Sequence, residues 1–228
     1  MEGTLIPNSA VWDGPDADFT PVSDDIPWCM IPEKKITMED VKYVLSSHYQ
    51  GTPYDPYGNY GDNKMRGAYR SIGVNRTDFM SAIQMRPYVG EDICAVQWIA
   101  FASNAFNVMV PFYANVDTTP EYLANTGADA STDNFYWTSR MIAAMADASY
   151  AKSVFHIERY EEKVMSKAHE IICRYDDIMN EQPLGEKLRQ QANQETTDMV
   201  RREANATLGR VLYELSNQMK NSYSRSDA

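Results

Sequence analysis

The hydrophobic period of this chain changes once, and that change limits the folds open to it. Between Phe79 and Tyr113 the apolar residues come in short runs. Phe79, Ser81, Ile83 and Met85 alternate with Met80, Ala82, Gln84 and Arg86, and two compact apolar segments follow, Cys94 to Ala102 and Val108 to Tyr113. Runs of this length and composition are read as strands. Only Ser103 to Asn107 separate the second from the third, which predicts an antiparallel hairpin. Pro111 places the last strand at an edge or bulge, because proline has no N–H to give to a ladder. From Thr132 onward the spacing is helical, with Thr132, Asp133 and Asn134 as cap candidates. Val154, Ile157, Val164, Ala168, Ile171, Ile172 and Tyr175 mark one long amphipathic stretch, broken near Pro183 and Gly185. A second runs from Leu184 to Met219, most clearly at Leu208, Val211, Leu212, Leu215 and Met219. Short strands followed by long helices predict an α+β chain in which two antiparallel helices pack over an antiparallel sheet.

The segment before the strands has a different character. Residues 1–36 hold Pro7, Pro15, Pro21, Pro27 and Pro32 among scattered aspartates, and this favours extended backbone and predicts an irregular arm. Thr37-Met38-Glu39-Asp40 has the form of a capping box, and Met38, Val41, Val44 and Leu45 follow at helical spacing, so a helix of about three turns should end near His48. Between Tyr49 and Tyr69 the chain then places Tyr54, Tyr57 and Tyr60 among Gly51, Pro53, Pro56, Gly58, Gly61 and Gly67, which is loop chemistry carrying large amphipathic side chains. Long loops in compact domains are often functional. The expected organisation is an arm (1–36), one domain (37–220) and a polar, disordered tail (221–228).

Composition removes several classes of function. Of 228 residues, 43% are hydrophobic, no run of eighteen apolar residues occurs, and the first thirty residues lack the pattern of a secretory signal, so a soluble, non-membrane chain is expected. A formal net charge of -11 repels phosphate backbones and makes nucleic acid an unfavourable partner. Cys29, Cys94 and Cys173 are odd in number and far apart, which suggests neither a disulfide framework nor a metal cluster and fits a reducing, cytoplasmic compartment. The histidines show no metal-binding spacing, and no nucleophile elbow, dinucleotide fingerprint or phosphate loop occurs, so no metal or organic cofactor is expected.

The remaining candidates are few. His48 closes a helix ahead of the tyrosine loop, where it could serve proton chemistry or simply cap helix carbonyls. Tyr49 and Tyr54 open the loop. Asn104 and Asn107 lie at the hairpin tip, where an amide could face a developing oxyanion or make an ordinary turn. Gln84 and Arg86 are either ligand contacts or part of a hydrogen-bonded sheet surface.

Long strings of residues here resemble one family. The run from Asp40 to Gly58, with His48-Tyr49-Gln50-Gly51-Thr52-Pro53-Tyr54-Asp55-Pro56-Tyr57 at its centre, is similar to the C-terminal half of the PepD-type dipeptidases, bacterial members of the N-terminal-nucleophile hydrolases. The similarity continues through Tyr69 to Arg76, Ser81 to Pro87, Val96 to Phe101 and Val110 to Tyr113, and covers roughly residues 22–220. It implies part of an αββα sandwich and a hydrolase for dipeptides that needs no cofactor. In that family a cysteine at the mature N-terminus attacks the peptide carbonyl while its own α-amine, with an ordinary pKa of about 7.7–8.0, acts as base.

This chain opens Met1-Glu2-Gly3-Thr4, so the resemblance leaves the nucleophile without a counterpart among these residues. Cleavage before Cys29 would create an N-terminal cysteine, but Cys29 sits where the family has internal sequence. Ala10 also stands where the family stretch before Val11-Trp12 usually carries an arginine. The expectation is a C-terminal part of a dipeptidase, inactive alone, with no catalytic residue of its own and with His48, Tyr49, Tyr54 and Asn104 bordering the dipeptide. A noncatalytic binding or regulatory module on the same scaffold is the alternative. Half a sandwich should leave an apolar face, expected at Trp98, Phe101 and Phe112, and so form a homo-oligomer or associate with an N-terminal half.

Overall fold

The computed structural model describes residues 19, 22–29, 31–32, 34–59, 61–124, 126–181 and 185–220, so the expected tail and most of the expected arm lie outside it. The chain divides after Ile72 into two compact units.

In the first unit the described residues before Thr37 form neither helix nor strand. Helix α1, Met38–Leu45, starts on the capping box read from the sequence: Asp40 N–H donates to Thr37 Oγ1 (3.2 Å) and Thr37 N–H donates to Asp40 Oδ2 (2.9 Å). It is a turn shorter than expected. Ser46 N–H reaches both Lys42 O and Tyr43 O, Ser47 N–H reaches Val44 O, and Lys42 Nζ donates to Ser46 Oγ (2.6 Å), which closes the helix before His48. Its buried side chains are Met38 and Lys42, while Val44 is exposed.

The second unit is α+β. Strands β1 (Phe79–Met85), β2 (Ala95–Phe101) and β3 (Val110–Tyr113) form an antiparallel sheet in the order β1-β2-β3. The register pairs Ala82 with Trp98 and Trp98 with Pro111. Three helices follow: α2 (Phe135–Ala148), α3 (Tyr150–Glu181) and α4 (Glu186–Ser216). Helix α2 is the one the periodicity did not separate, because the break at Ser149 carries neither proline nor glycine. Ser149 Oγ instead bonds Met145 O and Ser153 Oγ across the junction. At the start of α2, Asn134 Oδ1 accepts from the N–H groups of Tyr136 and Trp137, so the cap is the last of the candidates.

One face of the sheet packs against helix. Trp98 lies 5.0 Å from His169 of α3, ring to ring, and Tyr113 donates its hydroxyl to Asp176 of the same helix (2.7 Å). This corrects the expected open face, since Trp98 and Phe112 are both buried. The exposed apolar side chains of the sheet are those of β1, with Phe79, Ile83 and Met85 at 52%, 71% and 63% exposure. Helix α4 also departs from its pattern. Val211 is buried as the pattern expects, with Met199 and Val200, but much of the buried stripe is small or polar, including Ala192, Asn193, Thr196, Thr197, Ala204 and Thr207, while Leu212 and Met219 near the C-terminal end are exposed. Small residues let a helix approach its neighbours closely.

The two edges of the sheet are finished differently. Ala114 N–H bonds Ala95 O, so along β3 the backbone groups of Pro111 and Tyr113 point away from β2. Pro111 has no N–H to offer, and Asn193 of α4 takes both groups of Tyr113, accepting from its N–H (2.8 Å) and donating to its carbonyl (3.0 Å). On β1, Ala102 N–H bonds Asp78 O and Arg86 N–H bonds Cys94 O, which turns the backbone groups of Phe79, Ser81, Ile83 and Met85 outward. No described strand pairs with them.

Candidate functional site

The tyrosine loop of the first unit is built on a helix end and four left-handed residues, Tyr49, Gly51, Gly61 and Gly67. Tyr49 holds φ at 62°, a conformation non-glycine residues avoid and one worth relating to function. Thr52 then donates both its N–H (3.0 Å) and its hydroxyl (2.8 Å) to Tyr49 O, turning the chain back. Asp55-Pro56-Tyr57-Gly58 carries aspartate, proline and glycine in the order a type I turn prefers, and Gly58 N–H bonds Asp55 O (3.1 Å). Gly61, at φ 81°, lies against Pro53 so closely that an added Cβ would sit 2.7 Å from the proline Cβ. The loop is tied shut by Gly67 N–H to Tyr54 O (3.0 Å) and by the Tyr49 hydroxyl to Arg70 O (3.4 Å).

This backbone brings His48 onto Asp55. His48 Nδ1 lies 3.0 Å from Asp55 Oδ1, both side chains are buried, and the same carboxylate oxygen accepts from Tyr57 N–H (2.9 Å). Tyr57 stands edge-on to the imidazole, with ring centres 5.4 Å apart at 90°. The carboxylate therefore fixes the orientation of the ring, the arrangement by which a histidine is held for proton transfer or for hydrogen bonding at its far nitrogen.

Beside this pair, Tyr49, Tyr54 and Tyr69 form a cluster. Tyr54 and Tyr69 have ring centres 4.9 Å apart, and Tyr49 lies 6.3 Å from Tyr54 and 6.2 Å from Tyr69, with all three rings steeply inclined to one another. All three are half-buried. Three of the expected site residues, His48, Tyr49 and Tyr54, thus share one loop. Asp55 was missed, although the Asp-Pro-Tyr-Gly turn signature seven residues after His48 marks where the chain doubles back.

The other candidates belong to the second unit. Asn107 Nδ2 donates to Phe101 O, Ala102 O and Asn104 Oδ1, so Asn104 and Asn107 brace the hairpin loop, where Ala102 is held at φ 67°. Gln84 Oε1 accepts from Trp98 Nε1 (3.0 Å), and Arg86 is buried against Asp176. Both therefore serve the sheet. Cys29, Cys94 and Cys173 form no disulfide, and among the described residues no three His, Cys, Asp or Glu side chains converge.

Residues 8–163, which include the whole tyrosine loop and all three strands, match Peptidase family C69. The chain belongs to peptidase family C69. Among curated proteins, this C69 chain is similar to a dipeptidase of Bifidobacterium longum (strain NCC 2705), 50% identical over 177 residues, which are 78% of this chain and 33% of the relative. It is similar to a probable dipeptidase A of Streptococcus pyogenes serotype M18, 43% identical over 214 residues, 93% of this chain and 45% of the relative. It is also similar to dipeptidase A of Lactobacillus helveticus, 34% identical over 203 residues, 88% of this chain and 42% of the relative. The C69 chain spans from a third to under half the length of these relatives.

Proposed function

We propose that residues 1–228 form the C-terminal part of a cysteine-nucleophile dipeptidase. The nucleophile and its α-amino base come from polypeptide outside these residues, and a protein limited to residues 1–228 is inactive. The reading rests on the family match across the tyrosine loop and on relatives named as dipeptidases. The observation that carries it is the His48–Asp55 pair beside three inclined tyrosine rings. A dipeptide presents an ammonium, a carboxylate and a short peptide group to a small pocket. Aromatic faces favour the cation, while phenol hydroxyls and an oriented imidazole can bind the anion and the carbonyl.

In this reading His48, Tyr49 and Tyr54 contact the dipeptide, and Asp55 positions His48. No metal or organic cofactor takes part. The three-stranded sheet is one layer of an αββα sandwich, and the outward-facing β1 supports association with an N-terminal half or a second copy. The unpaired cysteines suit a reducing, cytoplasmic setting, and no helix among the described residues is long and apolar enough to cross a membrane.

The test compares two proteins on a panel of dipeptides: one limited to residues 1–228, and one carrying in addition the N-terminal half of a C69 relative. Free amino acids should appear only with the second. Turnover by residues 1–228 that is abolished by Cys29→Ala would overturn the reading.

A further inference from the structure

Helices α3 and α4 run antiparallel and are joined by a ladder of side-chain pairs. Arg174 and Tyr175 hold Glu195, Lys163 (2.7 Å) and Lys167 (2.8 Å) hold Glu203, and His156 Nε2 lies 3.4 Å from Glu214. At every rung α4 supplies the carboxylate and α3 the base or donor. Between Glu203 and Glu214 this order breaks, and both helices carry a base. The register set by Lys167–Glu203 and His156–Glu214 places Arg210 of α4 opposite Tyr160, with Arg159 beside it on α3. Neither arginine bonds a carboxylate among the described residues. Arg159 lies instead over the Phe155 ring, 4.5 Å from its centre.

A cleft of about 590 Å³ opens at this rung, with Phe155, Arg159, Tyr160, Lys163, Glu203 and Arg210 among its walls. Two guanidinium groups facing one cleft repel unless an anion lies between them. Two acids also line the wall, Glu162 and Glu203, and Glu203 is already held by two lysines, so with Arg159, Lys163 and Arg210 present the cations outnumber the acids. Tyr160 is only 3% exposed, yet its hydroxyl has no hydrogen-bond partner, and the Thr207 hydroxyl, one turn from Glu203, has none either. A buried hydroxyl left unpaired is costly, so these groups are suited to an acceptor that the protein does not itself supply.

We propose that the α3/α4 cleft is a binding site for a small organic anion, whose phosphate or carboxylate group bridges Arg159 and Arg210 and accepts from the Tyr160 hydroxyl. Its apolar part lies against Phe155. The site is distinct from the tyrosine loop and is independent of the dipeptidase reading.

Calorimetric titration of the full-length protein with phenyl phosphate and with benzoate tests this, with sodium chloride at matched ionic strength as the control. Binding of either probe supports the site, and the preferred probe shows whether phosphate or carboxylate is the natural group. Arg210→Ala and Arg159→Ala should each weaken binding at least about tenfold, because each removes a charge-assisted contact. Tyr160→Phe keeps the shape and should weaken it several-fold. Absence of binding by both probes at about 10 mM, or an affinity unchanged by Arg210→Ala or by Tyr160→Phe, overturns the proposal.

Discussion

Arg86 at the end of β1 and Asp176 on α3, 90 positions apart, form a two-pronged buried ion pair. The Tyr113 hydroxyl donates to the same carboxylate, and Nη2 of the guanidinium also donates to Ile93 O, so strand, loop and helix meet at one charge. Burial, together with the neighbouring Asp176 charge, pushes the Tyr113 phenol well above its ordinary range. Burial alone would lower the Arg86 pKa, but Asp176 outweighs it and holds the guanidinium charged. Asp176→Asn strands that charge and should cost about 3–5 kcal/mol in urea unfolding. Arg86→Lys should recover little, because an ammonium cannot make the two-pronged contact. A loss below about 1 kcal/mol would mean that the pair does not hold β1 to α3.

Asn193→Ala should leave the N–H and carbonyl of Tyr113 buried without partners, costing about 1–3 kcal/mol. Hydrogen exchange checks the cause: the Tyr113 amide should exchange faster, while the Phe112 amide, directed at β2, should keep its protection. Equal acceleration at both would point to global loosening instead.

Glu203 gives the helical layer a pH dependence. Burial works against its ionisation, but Lys163 and Lys167 outweigh that and hold its carboxyl below the ordinary 4.5. A folded pKa below the unfolded one adds stability that is present above about 4.5 and is lost as pH falls through the folded value. Acid titration of stability should therefore be shallower in Glu203→Gln than in the unaltered protein. Parallel curves would show that the lysine pairs contribute nothing there.

In the full-length protein, Asp55→Asn replaces the carboxylate that orients His48 with an amide of the same shape. If the loop binds dipeptide as proposed, kcat/KM should fall at least about tenfold, or 1.4 kcal/mol, with an unchanged circular dichroism spectrum. An undiminished kcat/KM would make the His48–Asp55 pair a brace for the loop alone.

The strands were legible because alternation between Phe79 and Met85 and the short apolar runs after it have no other use in so small a span. Pro111 announced its edge because its chemistry is local. Thr37 and Asp40 likewise announced the helix start. What could not be read was set by partners distant in sequence. The buried Arg86 depends on Asp176, the polar stripe of α4 on close helix packing, and the break at Ser149 on hydroxyl bonds rather than on proline or glycine. At the candidate site, His48, Tyr49 and Tyr54 stood out by type and crowding. Asp55 did not, since an aspartate before proline reads first as a turn, and here it is both turn and partner.

The sheet has one closed side and one open side. Pro111 offers a further strand a carbonyl but no N–H, and Asn193 takes both groups of Tyr113, whereas four residues of β1 turn their peptide groups outward. Growth is therefore biased to one direction: an additional strand, from the same polypeptide or from another copy, finds a full row of donors and acceptors along β1, and at β3 it meets a helix in its place.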